Sequence, residues 1–458
     1  MELRAEIISI GDELTSGQRL DTNSRWLSEQ LGNLGVKTVF HTTVGDSMAD
    51  NVDAFRTAAR RVDIVVATGG LGPTADDLTR EAMAEAFHSP LELRPDALAH
   101  IESLFVRRKR PMPERNRSQA MFPFGSRIID NPHGTAPGID LVVANTKLGG
   151  SGECRLFSLP GVPAEMMQMY AAVVEPRLVR EMGVGAKRWY FHCLKVFGIG
   201  ESDVENKLPD LIRRDRDPIV GITVSKATIT LRIAALCANE SEFQAKIQPT
   251  INEIRSQLGL LVFGQGEIDI DEATHRLLLE KNVSLGVVEI GSGAWIQHGL
   301  AKLTQTGEKG LQMSLWLPSL DAIPNANVGG RAQALRFAAP DDLSRSTNSA
   351  TDSFAMPKSV ESDPEPNAAI ARELSLAAER FREQHDLDLC LAAGVYPTWQ
   401  AVSTSVTLPS SEFSFSLARR GKETKCTTVS LGAHPEVLYH RLAKAGLNFL
   451  RLELLQHG

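Results

Sequence analysis

Apolar and polar positions from Met1 to about residue 170 switch repeatedly between short β-rich runs and helical spacing. Glu6 to Ile10 reads as a strand; Asp21 stands where it can cap a helix with Trp26, Leu27, Leu31 and Leu34 on one face, and Gly35 stops that helix. Val36 to Thr43 reads as a second strand, and Ser47 with Asp50 forms a capping pair for a helix that buries Met48, Val52, Phe55 and Ala59. Asp63 to Thr68 is a short apolar run of the kind buried on both faces, and Gly69 breaks it into a loop leading to a helix from Asp77 to Phe87. Leu156 to Leu159 reads as a late central strand ending at Pro160-Gly161. This alternation predicts an α/β layer fold with a largely parallel sheet.

From about Trp189 the texture changes to a strand through Phe197, a helix after Glu201, two strands around Gly221 to Ala235 and a helix near Glu240 to Leu258, which together make a small α+β unit. A third segment begins near Ile268 with a helix, a strand from Ser284 to Glu289, a Gly-containing turn, later strands and a long final helix from Pro435. Between Pro340 and Asn367 the chain is rich in Ser, Asp, Pro and Thr and poor in core formers, so a disordered insertion over 340–367 is expected. At 458 residues the chain exceeds what one core serves, and domains over 1–170, 171–264 and 265–458 are expected.

Composition narrows the classes: 42% hydrophobic and 23% charged residues are those of an ordinary globular protein rather than a disordered or collagenous one. A formal net charge of -7 opposes nonspecific contact with phosphate backbones, and the basic run Arg107-Arg108-Lys109-Arg110 reads as a solvated helix end, so no nucleic-acid partner is expected. The five cysteines have no close pair and supply neither a zinc spacing nor a disulfide framework. Met1 to Leu14 is interrupted by Glu2, Arg4, Glu6 and Asp12, and no apolar run is long enough to span a bilayer, so a cytoplasmic protein with no membrane role is expected.

Candidate chemistry concentrates after the first and third strands. The loop Thr68-Gly69-Gly70-Leu71-Gly72-Pro73-Thr74-Ala75-Asp76-Asp77 leaves a buried strand and opens a helix, where free N–H groups and the helix dipole attract anions. Gly69, Gly70 and Gly72 let the backbone approach phosphate oxygens, with Thr74 beside them; a Gly run in this position also serves as a plain structural turn, and no Gly-Lys-Ser/Thr follows that would make it a Walker loop. Asp76 and Asp77 put carboxylates where phosphate charge would lie, an arrangement that calls for a bridging divalent cation, Mg or Co; helix capping is the other reading of Asp77. Gly11-Asp12-Glu13-Leu14 follows the first strand and so belongs to the same carboxyl edge, where Asp12 and Glu13 can add metal ligands or a base for water. Asn23 can reach a ribose or an amide, and the loops holding Asn131, Gly134 and Thr135 and holding Gly161 pack Gly and Pro around polar groups. Asp76, Asp77 and Asp12 are thus the candidate catalytic and metal-binding set, with Gly11, Glu13, Asn23, Gly69, Gly70, Gly72, Thr74, Asn131, Gly134, Thr135 and Gly161 around a nucleotide-like diphosphate ligand.

Taken in order, Gly11 to Leu14, Asp21 to Ser24, Thr43-Val44-Gly45-Asp46, Gly69 to Asp77, Asn116-Arg117-Ser118-Gln119-Ala120, Asn131 to Gly138 and Leu159 to Pro163 closely resemble the CinA family, and Val196 to Ser202 resembles that family's entry into a KH-like domain. The resemblance implies a three-layer α/β/α molybdopterin-binding-like N-terminal domain, a small α+β KH-like middle domain and an α/β C-terminal domain; a homodimer is the expected assembly. It also implies metal-dependent hydrolysis of ADP-ribose to AMP and ribose 5-phosphate in the first domain and nicotinamide mononucleotide deamidation in the last. No GxxG nucleic-acid clamp is evident in the middle domain. The C-terminal segment departs from the pattern: the family's Glu-Ser-Cys-Thr-Gly-Gly turn corresponds to Glu289-Ile290-Gly291-Ser292-Gly293-Ala294, and its Tyr-Ser-Asn-Glu-Ala-Lys motif has no counterpart. Loss of the deamidase is therefore expected. A non-catalytic molybdopterin- or nucleotide-binding module and a structural or regulatory oligomer are the competing functions.

Overall fold

A computed structural model describes residues 3–145, 152–213, 215–305, 307–322, 365–397, 411–431 and 435–456. Two compact units are resolved, Met1–Tyr190 with Leu236–Gln244, and Phe191–Ala235 with Ala245–Gly458.

In the first unit β1 (Arg4–Ile10), α1 (Asp12–Thr15), α2 (Thr22–Asn33), β2 (Lys37–Val44), α3 (Met48–Arg61), β3 (Ile64–Thr68), α4 (Thr79–Ala86), β4 (Leu91–Leu93) and α5 (Pro95–Arg107) follow one another. After them come β5 (Met121–Pro123), β6 (Arg127–Ile129), β7 (Gly138–Asn145), β8 (Gly152–Leu159), α6 (Pro163–Met169) and α7 (Glu175–Met182). The main sheet has the order β2-β1-β3-β8-β7-β6; β2, β1, β3 and β8 are mutually parallel, and β7 is antiparallel to both neighbours. The carboxyl ends of β1, β3, β8 and β6 therefore share one edge.

Alternation along the strands makes the sheet two-faced. Ile8, Ile10, Val65, Ala67, Ile139 and Leu156 pack with Val52, Phe55, Met83 and Ile101, whereas Ile7, Ile64, Val66, Phe157 and Leu159 pack with Leu27, Leu31, Met166 and Leu178. With α3, α4 and α5 on one side and α2, α6 and α7 on the other, the unit is the expected three-layer α/β/α sandwich. Each fully buried large side chain, such as Phe55 at 1% exposure, contributes about 1.5–3 kcal/mol.

Two local expectations are corrected. Ser47 stands at the N-cap of α3 but its side chain makes no capping bond; the Asn51 amide instead donates to the carbonyls of Ser47 and Gly45, both at 2.8 Å, and closes the turn from inside the helix. The fourth helix begins at Thr79 rather than Asp77, because the Asp77 carboxylate folds back onto the amide and hydroxyl of Thr74 and holds that segment as a turn. Asp21 does cap α2, accepting from the Ser24 amide at 3.0 Å.

With most of their residues in the second unit, β9 (Arg188–Val196), β10 (Ile219–Ser225), β11 (Thr228–Cys237) and β12 (Val262–Gln265) form a sheet of order β10-β11-β9-β12, accompanied by α8 (Glu201–Lys207) and α9 (Glu240–Leu258). This is the expected small α+β layer. The remaining strands, β13 (Ser284–Gly291), β14 (Gly310–Leu317), β15 (Leu389–Tyr396), β16 (Ser411–Arg419) and β17 (Lys422–Leu431), form a sheet of order β14-β13-β15-β16-β17. One of its faces packs on α10 (Ile270–Glu280), α11 (Trp295–Ala301) and α13 (Pro435–Gln456), and the other on α12 (Glu365–Gln384). Residues 340–364 of the expected insertion lie outside the described residues, and its last three begin α12. No helix among the described residues is long and apolar enough to cross a membrane.

Candidate functional site

The Gly loop after β3 is held by its own helix. The carbonyls of Gly69, Gly70 and Leu71 accept, in turn, from the Thr79 hydroxyl at 2.9 Å, the Thr79 amide at 3.1 Å and the Arg80 guanidinium at 2.7 Å. In a trans peptide the N–H opposes the C=O, and these peptides are trans. The amides of Gly70, Leu71 and Gly72 are thus directed away from the start of α4, and none donates to a protein acceptor among the described residues. Successive unpaired amides are the groups from which backbone anion receptors are built. Gly69 has φ of +111°, and a Cβ there would collide with the Ile10 carbonyl oxygen, so the loop can lie against the end of β1 only as glycine. A Cβ at Gly72 would collide with the Asp77 carboxylate.

Neighbouring loops close on the same edge. The half-buried Asn23 donates from Nδ2 to the Gly161 carbonyl at 2.9 Å and to the Thr68 hydroxyl at 3.2 Å, and Thr68 in turn donates to the Pro160 carbonyl at 3.0 Å. The Oδ1 of Asn23 is buried without a protein partner. Asp21 is engaged by Ser9 at 2.6 Å and by Ser24; burial opposes its ionisation, but the bonds from Ser24 and Ser9 outweigh it and hold the carboxyl below its ordinary value. Asn131 is fully buried and organises its own loop, accepting from Gly134 N at 2.8 Å and donating to Ala136 O at 3.0 Å and Glu165 at 2.7 Å. Thr135 is half-buried in that loop.

Carboxylates collect beside the Gly11 turn. Asp12 and Asp46 are bonded reciprocally, each amide donating to the other's carboxylate at 3.1 Å and 3.0 Å. Burial first, and then the charges of Asp12, Asp76 and Glu13, push the Asp46 carboxyl above its ordinary value, opposed by the Asp12 amide. An open cavity of about 400 Å³ is bounded by Asp12, Glu13, Thr15, Ser16 and Gln18.

Asp12 is thus paired with Asp46, on whose carboxyl the charges of Glu13 and Asp76 also act, whereas Asp77 faces back into its loop. Oxygen-only donors that repel one another fit a hard divalent cation, which such an ion would relieve. Among the described residues no group of three or more His, Cys, Asp or Glu side chains is placed to hold a metal ion. Sequence reasoning missed Thr79, Arg80, Gln119 and Asp46 as parts of the site. The motifs Thr43 to Asp46 and Asn116 to Ala120 carried the signal for Asp46 and Gln119, while nothing in an ordinary helix start marks Arg80.

The probable molybdopterin binding domain family matches residues 6–180, and the KH domain of damage-inducible protein CinA matches residues 192–264. A CinA-like protein of Dictyoglomus turgidum is 40% identical over 302 residues, 66% of this chain and 71% of that protein. A putative competence-damage inducible protein of Symbiobacterium thermophilum is 39% identical over 292 residues, 64% of this chain and 67% of the relative. Among solved structures, the protein CinA with unknown function from Thermoplasma acidophilum is 32% identical, covering 38% of this chain and 98% of its own, with a TM-score of 0.34.

Proposed function

Because the chain belongs to the CinA-like, competence-damage inducible family, we propose that its molybdopterin-binding-like domain hydrolyses the diphosphate of ADP-ribose or a related nucleotide. The observation that carries this reading is that the amides of Gly70, Leu71 and Gly72, without a protein acceptor among the described residues, belong to the same sheet edge as the carboxylates of Asp12, Glu13 and Asp76. Anion and cation can then be held side by side. The amides receive phosphate oxygens and stabilise charge that develops on them. Asn23 offers its buried Oδ1 as an acceptor for a ribose hydroxyl. Asp12 and Asp76 would hold a divalent cation, which would offset the charge between these carboxylates and the diphosphate. Glu13, exposed beside them, takes the proton from a water that attacks phosphorus; the P–O bond of the bridge breaks, and water is divided between AMP and ribose 5-phosphate.

The protein incubated with ADP-ribose and Mg²⁺ or Co²⁺ is expected to release AMP and ribose 5-phosphate, and Asp12→Asn to lose most of that release. ADP-ribose left intact across several divalent metals rejects the hydrolase.

The engagement of Asp77 with Thr74 favours one second reading, a module that binds the diphosphate or a pterin phosphate without turnover. Calorimetric binding of ADP-ribose with no product formed selects it. For the C-terminal domain we propose that deamidation is lost, since Ile290 stands at the position of the hydroxyl. Ammonia released from nicotinamide mononucleotide rejects that.

A further inference from the structure

Arg80 is an unusual occupant of a helix start. It is 1% exposed, and no carboxylate lies within ion-pair distance of it among the described residues. Its fork is directed at the floor of the Gly loop: Nη2 donates to Leu71 O at 2.7 Å and Nη1 reaches Gly72 O at 3.5 Å, while Nε has no partner. Burial draws the guanidinium down to about 10, so it remains charged at neutral pH, with the charges of Glu81 and Asp77 acting on it only from a distance. The Leu71 carbonyl is also reached by Gln119 Nε2 at 3.3 Å, and Gln119 is fixed by Asn116 Nδ2 at 2.8 Å; both are buried. Anchoring a carbonyl needs only a neutral donor, which Gln119 already supplies. A buried cation without a contacting anion is costly, and that cost falls when a negative ligand settles on the far side of the same peptides.

We propose that Arg80 is a positioning and specificity-determining residue for the anion site: it fixes the Leu71 and Gly72 carbonyls inward and supplies a buried positive charge that selects ligands by their phosphate charge. The inference rests on the reading of the Gly69 to Asp77 loop as a phosphate receptor. In the low dielectric beneath the loop this charge acts on the ligand with little screening. Its effect therefore grows from a nucleoside to a monophosphate to a diphosphate, whereas loss of a merely structural anchor weakens all three alike.

The test is calorimetric binding of α,β-methylene-ADP, AMP and adenosine to the full chain and to Arg80→Met and Arg80→Lys. Arg80→Met is expected to weaken α,β-methylene-ADP tenfold or more and AMP by a smaller factor, with adenosine unchanged. Arg80→Lys, which keeps the charge and loses the fork, is expected to stay within about threefold of the parent for the diphosphate. Should Arg80→Met not fold, the comparison is made with Arg80→Lys at rising salt, where a diphosphate affinity as weak as the parent's for adenosine overturns the proposal. Equal weakening of all three ligands, or none, overturns it while leaving the phosphate receptor in place. A parent protein that binds neither phosphate ligand overturns both.

Discussion

The Asn23 side-chain amide donates to the Gly161 carbonyl at 2.9 Å across 138 residues of sequence, and so ties the start of α2 to the loop that follows β8. With the Thr68 hydroxyl as its second acceptor, the same amide joins three segments at the carboxyl edge of the sheet, beside the Gly loop.

Asn23→Ala is expected to cost about 1 kcal/mol of stability, the net value of a partly exposed hydrogen bond, and to weaken nucleotide binding more than it weakens folding. Denaturant midpoints and calorimetry on one preparation separate the two effects. A nucleotide affinity equal to that of the parent removes Asn23 from the site.

Thr79 is fully buried and its hydroxyl holds the Gly69 carbonyl. Thr79→Val preserves shape and leaves that carbonyl without its donor, an expected loss of about 1–3 kcal/mol; Thr79→Ser is expected to recover most of it. Urea unfolding of both variants reads the difference.

Asp140 receives Arg155 at 2.7 Å, Arg177 at 2.7 Å and Arg127 at 2.9 Å with its carboxylate wholly buried, and Glu181 shares two of these arginines. Asp140→Ala leaves buried positive charge without its centre, and a loss of roughly 3–5 kcal/mol is expected. A change below about 1 kcal/mol by denaturant unfolding contradicts this account of the network.

Glu289 is fully buried at the end of β13 and accepts from the amides of Ile296 and Gln297, both at 2.9 Å. Burial raises its carboxyl to about 7 against those two amide bonds. Because the folded value lies above the unfolded one, the native state binds the extra proton between them, and this group's contribution to stability declines as pH rises from the ordinary carboxylate range through 7. Glu289→Gln is expected to flatten that decline. Urea midpoints measured across pH 5 to 8 on both proteins provide the check, and parallel profiles contradict it.

Much of the first unit was legible in the chain because its cause is local. Short β-rich runs and apolar residues at period 3.6 placed β1, β2, β3, α2 and α3 within a residue or two, and Asp21 capped α2 as its position before a helical stretch required. Two parallel strands followed by Gly11 and by Gly69 had to bring those turns to one edge, since a crossover reverses direction twice.

Side-chain destinations were another matter. The Asp77 carboxylate turned to Thr74 rather than outward, Ser47 left its capping bond to Asn51, and Asp46 met Asp12 across 34 residues. Arg80 sank beneath the loop although an arginine at a helix start ordinarily faces water. The sequence by itself determined the periodic elements and the glycines that let a backbone pass closely, because both depend on residues near in the chain. Which carboxylates gather and which cation is buried was decided only by the tertiary structure, because electrostatic and hydrogen-bond partners are selected by distance in space among segments that the sheet brings together.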